Sequence, residues 1–491
     1  MANIDVLDPL TGSPLHQIQA MTASDVERHF EIGRVAQRKW AKLSVKDRCK
    51  IAFRLHDILL AKQDQVMDLL QKETGKSRSH AFEEIAGALG AIRYYAKVSP
   101  KALKRTKAKG GVPGLISTYV DRVPVGVVGV ITPWNYPLAL TMMDVVPALL
   151  AGNAVVQKAD NQTALTTKLA AELAHEAGFP KELWQVVHGD AQEVGNAVTD
   201  NADYVAFTGS TKTGRLVAER AAKRLIGYSL ELGGKNPMII LPGTDVREAA
   251  RQTIAGAFGN AGQLCVSIER VYVPKYLEQD FTAELKRQVE DLKIGTSENF
   301  EHDLGSLSSA AQLRRVADTV TEAVREGSEL VIGGTPLPDI GPNFYAPTVL
   351  ANIPKDARVL SDEVFGPVVA VVGYTSLEEA IELANDTEYG LNASVIGDAT
   401  QALSVASNLM AGSVNINEGY RASMASLDAP MGGMKQSGMG RRSGIGGLTR
   451  YTEIRTIGIA KRGPLKLPTR ASEYVRMAPM MNLMAKLLKR I

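Results

Sequence analysis

From Pro124 onward, short apolar runs alternate with stretches of helical period. GVVGVIT, AVVQKA, WQVVHG and DYVAFTG have the unbroken hydrophobic character of parallel strands covered on both faces. The segments between them repeat apolar residues at three- and four-residue spacing, which predicts βαβ units wound into a sheet with helices on both sides. A second series of the same kind begins with PMII just after Asn236. It continues through a helix over Val246–Ala257, the strand SIERVYV, and further units near residues 329–333, 366–374 and 391–396, and it closes with SVNIN at residues 413–417. Two such series predict two α/β lobes with a cleft between them.

The first 109 residues have a different pattern, that of consecutive helices. Ser24 and Glu27 have capping-box spacing for a helix to about Leu43, and Ser44 is placed to cap a second helix running to Glu73. Thr74 and Gly75 stop it, and a third helix is expected over residues 80–98. LISTYVDRV, residues 115–123, alternates like a strand yet has no adjacent partner in sequence. GKS at residues 75–77 resembles the end of a phosphate loop, but Leu70 occupies the position where that loop requires glycine.

Composition narrows the class. A chain of 491 residues is long enough for two or three domains, and 45% hydrophobic with 22% charged residues is ordinary for a globular protein. The net charge of +3 points to no polyanionic partner. The basic runs at residues 101–109 and 485–491 read as solvated surface, without the interleaved aromatics of a nucleic-acid site. The only cysteines are Cys49 and Cys265, and the seven histidines are scattered, so neither a disulfide framework nor a metal site is expected. The start MANIDVLDPL is unlike a signal peptide, and the apolar region 138–156 is broken by Asp144, Pro147 and Asn153. A reducing cytoplasm is the expected compartment.

Three stretches carry candidate chemistry. In GNAGQLCV, residues 259–266, Cys265 stands among glycine and amide groups able to cradle an anion, as acyl transfer at sulfur requires. The alternative is a small core hydrophobe. Glu231, in the apolar LELGG, suits a general base if burial raises its pKa, and otherwise reads as a surface acid or a partner of Lys235. FTGSTKTG places Gly209, Ser210 and Gly214 where a strand enters a helix, the position at which doubly wound folds bind nucleotide phosphate; a simple structural turn is the alternative.

Together with PVGVVGVITPWNYP, VVQKADN, EVFGPVV, YGLNASV and APMGGMKQSGMGRRSG, these stretches resemble, in order and over nearly the whole chain, the aldehyde dehydrogenase superfamily. The resemblance implies two doubly wound α/β domains, a Rossmann-like cofactor domain (1–109 and 124–235) and a catalytic domain (236–429). It adds a β-strand oligomerisation arm (115–123 and 451–462), and a C-terminal amphipathic extension follows at 463–491. It makes Cys265 the nucleophile, Glu231 the base, and Asn135 with the Cys265 backbone N–H the oxyanion hole. It assigns cofactor contacts to Thr132, Trp134, Lys158, Asn161, Gly209, Ser210, Gly214, Leu232, Glu363 and Phe365. It implies oxidation of an aldehyde to a carboxylic acid through a Cys265 thioester, in a homodimer or homotetramer.

KADNQT, GQLCVSIERVYV and GSVNINEGY are most similar to the succinate-semialdehyde dehydrogenase (NADP) branch. That makes succinic semialdehyde the expected substrate, with a broad-specificity aliphatic or aromatic aldehyde dehydrogenase as the alternative. A cysteine hydrolase and a non-catalytic structural protein are the readings from other classes. Asn161, where the superfamily often has a glutamate on the ribose, points to NADP ahead of NAD, aided by Lys158. The arginines expected before the cysteine and after the WN motif are missing, and Asp144 in the latter segment is expected to repel an anionic substrate. Arg421 is the substitute cation. Arg442 stands where an acid is usual and has no assigned role. In the tail, residues 479–491 place Met480, Leu483, Met484, Leu487, Leu488 and Ile491 on one helical face, expected to dock on protein in preference to an anionic membrane surface.

Overall fold

The computed structural model describes residues 3–109, 116–460 and 468–489. The expected linker at 110–114, Leu115, residues 461–467 and the last two residues of the tail lie outside them. The chain divides into two compact units, Met1–Ala102 with Pro124–Tyr451, and Leu103–Val123 with Thr452–Ile491.

Two sheets organise the first unit. In the six-stranded sheet the order is Gly438–Met439, Gly227–Glu231, Tyr204–Thr208, Val127–Thr132, Ala154–Ala159 and Trp184–Val187. All its pairings are parallel except that of the short Gly438–Met439 strand. The seven-stranded sheet runs Glu329–Ile332, Thr348–Ala351, Val368–Tyr374, Ile268–Pro274, Asn236–Ile240, Asn392–Ile396 and Ser413–Ile416. The unit expected near residues 329–333 is an antiparallel edge pair, Glu329–Ile332 against Thr348–Ala351, and the rest of this sheet is parallel. The apolar runs bury on both faces as parallel strands must: every residue of Ala154–Ala159, Tyr204–Thr208 and Asn236–Ile240 is buried. The first sheet ends at Glu231 and the second begins at Asn236, so four residues join them.

Several local expectations are corrected. The first helix, Ala23–Trp40, is capped by Thr22 with Asp25, two residues ahead of the Ser24–Glu27 pair. The expected single helix to Glu73 is two, Val45–Ala61 and Gln63–Thr74, broken at Lys62, whose φ and ψ leave the helical region. Ser44 caps the former and Gly75, at φ 73°, ends the latter. The third helix is longer than expected, Arg78–Ala102. Residues 3–7 and 14–19 form an antiparallel hairpin that the sequence pattern did not reveal.

The second unit contains a three-stranded sheet in the order Thr452–Ala460, Ile116–Pro124, Thr106–Ala108. The strand expected to lack a local partner therefore has one, Thr106–Ala108, inside the basic run. Tyr451, expected in this arm, is fully buried in the first unit instead. The tail helix spans Ala471–Leu488, and all its described side chains except Met477 are exposed. Among the described residues no helix is long and apolar enough to cross a membrane.

Candidate active site

The Cys265 loop is shaped by backbone that ordinary residues avoid. After the helix Val246–Ala257, Asn260 (φ 51°), Ala261 (φ 53°) and Gly262 (φ 70°) lie consecutively in the left-handed region. For the first two this costs ~1–2 kcal/mol each, so surrounding contacts must hold them. The Gln263 side chain does so, donating to the Asn260 carbonyl at 3.1 Å and accepting from the Ser308 N–H at 2.9 Å. A Cβ on Gly262 would lie 2.0 Å from the Gly366 carbonyl oxygen, so only glycine fits there.

Beyond the loop a ladder of buried asparagines fixes the backbone around Cys265. Asn236 Nδ2 donates to the carbonyls of Cys265 at 2.8 Å and Ser267 at 2.7 Å, and its Oδ1 accepts from the Asn392 N–H at 3.0 Å. Asn392 donates to the Val266 carbonyl at 2.9 Å, and Asn415 donates to Asn392 Oδ1 at 2.8 Å. All three asparagines belong to strands of the seven-stranded sheet.

Cys265 and Asn135 lie where two cavities meet. One, of about 380 Å³, is lined by the helix Arg78–Ala102, by Tyr136, Leu140 and Met143, and by residues 420–431. The other, of about 180 Å³, is lined by Trp134, Gly209, Ser210, Glu231, Leu232, Glu363 and Phe365. Both include Cys265 and Asn135, and no histidine lines either. Asn135 Nδ2 donates to the Gln263 carbonyl at 3.1 Å, while its Oδ1 is buried without a partner.

Glu231 ends its strand beside Thr208 in the parallel register. Both its carboxylate oxygens are buried without a hydrogen-bond partner, and burial pushes its pKa up to about 7 while Arg442 and Arg450 pull it down. It is not tied to Lys235, which pairs with Glu269 at 2.5 Å. The Cys265 thiol is pushed up to about 12 by burial and then by the carboxylates of Glu231 and Glu363. A thiol beside a carboxylate that titrates near pH 7 is an arrangement able to support nucleophilic and general-base chemistry.

The cofactor residues expected from the sequence separate into two groups. Trp134 and Phe365 meet edge to face at 5.5 Å, and Ser210 caps the helix Thr211–Lys223, whose amino end opens beside Gly209. Glu363 accepts from the Gly234 N–H at 2.9 Å, and burial followed by the nearby Glu269 raises its pKa to about 7. With Leu232 these line the Cys265 cavity. Its donor set suits a pyridine dinucleotide: a helix amino end for phosphate, a carboxylate for ribose hydroxyls and flat aromatic walls.

Thr132, Lys158, Asn161 and Gly214 are not among the residues lining that cavity. The Thr132 hydroxyl accepts from Gln157 Nε2 at 2.9 Å. Gly214 lets its helix approach the chain closely, since a Cβ there would be 2.5 Å from Leu232 Cδ2. The Lys158 ammonium donates to the Ala159 carbonyl at 2.9 Å, with Asp160 and Asp190 as its acidic neighbours. Asn161 is engaged with the Gly189 backbone in both directions, donating at 3.0 Å and accepting at 3.2 Å.

Two expectations about substrate charge change. Asp144 does not face the substrate: it is fully buried, bound by both arms of Arg442 at 3.0 and 2.6 Å and by Arg450 at 2.5 Å. Arg442 thereby acquires a structural partner. Arg421 does line the larger cavity, but it is paired with Glu83 at 3.0 Å and Glu418 at 3.6 Å. Arg93 lines the same cavity and has no ion pair among the described residues.

Sequence reasoning also missed the pair Lys76–Glu84. Glu84 accepts from the N–H groups of Leu138 at 2.7 Å and Ala139 at 3.2 Å, capping the helix Pro137–Leu150. Lys76 donates to Glu84 and to the Asn135 carbonyl at 2.9 Å, which fixes Asn135 from behind. Only the residue types, not a motif, could have signalled this.

The sequence model described as the aldehyde dehydrogenase family matches residues 1–457. A Mycolicibacterium smegmatis protein provisionally named succinate-semialdehyde dehydrogenase (NADP(+)) is 46% identical over 481 residues, covering 97% of this chain and 93% of its own. The solved structure of a succinate-semialdehyde dehydrogenase from Burkholderia pseudomallei superposes with TM-score 0.90 at 33% identity, covering 94% of this chain and 95% of that one. A point mutant of betaine aldehyde dehydrogenase from Staphylococcus aureus, in complex with NAD+, superposes with TM-score 0.90 at 31% identity, covering 94% of each chain.

Proposed function

Because the chain belongs to the aldehyde dehydrogenase family, and is an NAD(P)-dependent aldehyde dehydrogenase, we propose that Cys265, Asn135 and Glu231 carry its reaction. The observation that supports this most directly is that Cys265 and Asn135 line both cavities while Glu231 enters one of them. An aldehyde in the larger cavity and a cofactor in the smaller would meet at the thiol.

The Cys265 thiol gives up its proton to solvent and Sγ adds as the thiolate to the aldehyde carbon, so that the carbonyl oxygen gains negative charge. The Asn135 amide and the Cys265 N–H donate to that oxyanion, an interaction worth ~3–4 kcal/mol per donor when the site excludes water. Nicotinamide, when bound against Leu232, Glu363 and Phe365, would supply the hydride acceptor. Glu231 takes a proton from water as the water attacks the Cys265 thioester, the carboxylic acid leaves, and the thiol is restored. Glu231 lines the smaller cavity and its carboxylate oxygens have no other partner, so they can accept from that water.

The substrate proposed is succinic semialdehyde, oxidised to succinate; the names of the M. smegmatis and B. pseudomallei relatives support it. A cation at the mouth of the larger cavity, Arg421 or Arg93, would meet the distal carboxylate. The second reading, a broad-specificity aliphatic or aromatic aldehyde dehydrogenase, is favoured by the apolar wall of Leu140, Met143, Met424, Leu427 and Met431. NADP is the proposed preferred cofactor, with NAD as the alternative, in a cytoplasmic homodimer or homotetramer. A panel of anionic, aliphatic and aromatic aldehydes, each with NADP and NAD, tests both readings. A higher kcat/KM for succinic semialdehyde than for butanal and benzaldehyde is expected, and the reverse order would favour the second reading.

A further inference from the structure

The buried ionic cluster behind Glu231 is not electrically balanced. Asp144 contributes one carboxylate, and Arg442 and Arg450 contribute two guanidiniums, all three enclosed. Arg442 binds Asp144 with both arms and also donates to Thr208 Oγ1 at 2.6 Å. Arg450 donates to Asp144, to the Ser229 hydroxyl at 3.1 Å and to the Tyr451 hydroxyl at 2.7 Å. One positive charge remains in an interior where an uncompensated charge is expensive.

The places where this cluster grips the sheet surround Glu231. Thr208 is its register partner on the neighbouring strand, and in a parallel pair their side chains share a face. Ser229 is two residues earlier on Glu231's own strand, again on that face. Gly432 touches the carboxylate, since a Cβ there would lie 3.2 Å from Glu231 Oε1, and the adjoining Met431 exchanges backbone hydrogen bonds with Arg442 at 2.7 Å each way. The charged and titratable groups facing Glu231 are thus Arg442, Arg450, Asp144 and Arg441, with Tyr204 and Cys265.

We infer that the Asp144–Arg442–Arg450 cluster is a positioning device for Glu231, its surplus positive charge set against the carboxylate in a pocket where neither carboxylate oxygen has a hydrogen-bond partner. This rests on Glu231 being the base of deacylation.

The test follows deacylation without any cofactor. An ester such as 4-nitrophenyl acetate acylates Cys265 and releases nitrophenol in a burst; water then cleaves the thioester, returning acetate and the thiol, and sets the steady rate. The Glu231→Gln variant should lose the acid limb of that steady rate, and retention of the limb would remove Glu231 as base. Arg450→Met leaves the bidentate Asp144–Arg442 pair in place and removes the surplus charge together with the bonds to Asp144, Ser229 and Tyr451, which Arg450→Lys, carrying the same charge, helps to separate. The acid limb of Arg450→Met should move up by about one pH unit, or about tenfold slower deacylation at pH 6, with the burst preserved.

Arg450→Lys should return the limb towards wild type, and Asp144→Asn, which adds net positive charge, should move it the other way. If Asp144→Asn does not fold, the Arg450→Met and Arg450→Lys pair decides. An unmoved limb in Arg450→Met, when Glu231→Gln has abolished it, would overturn the inference and leave the base assignment standing. A lowered melting temperature with an unmoved limb would mark the cluster as structural only.

Discussion

Asn161 and Gly189 exchange hydrogen bonds in both directions, the side-chain amide donating at 3.0 Å and accepting at 3.2 Å. The residue read from sequence as the one that admits a 2'-phosphate thus also braces the turn after the strand Trp184–Val187. Gly189 has φ 152°, and a Cβ there would lie 2.5 Å from Val194 Cγ2, so the turn has little freedom to adjust. Asn161→Glu should shift the ratio of kcat/KM from NADP towards NAD by about tenfold through repulsion of the phosphate. It should also lower stability by about 1–2 kcal/mol, because a carboxylate cannot donate to the Gly189 carbonyl. Lys158→Ala should harm NADP use more than NAD use. An unchanged ratio in Asn161→Glu would detach this turn from cofactor choice.

Cys265→Ala should abolish aldehyde oxidation, leaving less than about one percent of turnover, while cofactor still binds. Fluorescence titration with NADPH checks the second half. The loop should stay folded, because the asparagine ladder binds the Cys265 backbone and not its sulfur.

Glu231→Gln separates the two halves of the reaction. A burst of reduced cofactor should persist while the steady rate falls by about a hundredfold or more. In the wild type the active form is the carboxylate, whose pKa is raised to about 7, so deacylation should rise with pH through that region and level off above it. Loss of burst and steady rate by the same factor would contradict the assignment.

For the distal carboxylate of succinic semialdehyde, Arg421 and Arg93 make opposite cases. Arg421 lies over the tyrosine at the cavity wall, its guanidinium 5.2 Å from the Tyr420 ring, but two carboxylates already share its charge. Arg93 is exposed and has no ion pair among the described residues. Arg93→Ala should therefore raise KM for succinic semialdehyde by more than Arg421→Ala does, with butanal spared by both. Equal effects on the two aldehydes would remove both residues from substrate recognition.

The tail helix leaves Met480 and Leu483 exposed at 38% and 60%, an apolar face that one chain alone does not cover. If a second subunit covers it, truncation after Pro479 should lower the oligomeric mass measured by light scattering. Unchanged mass with loss of binding to anionic vesicles would place the helix on a membrane surface instead.

Strong periodicity and punctuation were legible in the sequence. The helix Val246–Ala257 is found as read, because Asp245 caps it and its apolar stripe is regular. The buried parallel strands were equally clear. What escaped was pairing at long range. Thr106–Ala108 is too short and basic to read as a strand until Ile116–Pro124 pairs with it. Asp144 read as a hazard to an anionic substrate because its partners, Arg442 and Arg450, lie some three hundred positions away in sequence. Cys265, Glu231 and Asn135 were named by motif. The asparagine ladder was not, since asparagines in strands carry no signature of the backbone they will bind.

The nucleophile and the base proposed here are mounted on different sheets. Asn236, Asn392 and Asn415 fasten Cys265 to the seven-stranded sheet, whereas Glu231 is the last residue of a strand in the six-stranded one, and four residues join the two. Hydrolysis of the thioester therefore depends on how the two sheets are held against each other as well as on the chemistry of either. A molecule that wedged the sheets apart by an ångström would slow acylation and hydrolysis together, since Trp134 and Asn135 follow the strand Val127–Thr132 of the six-stranded sheet while the Cys265 loop is fastened to the other. Such an inhibitor would need no contact with the thiol.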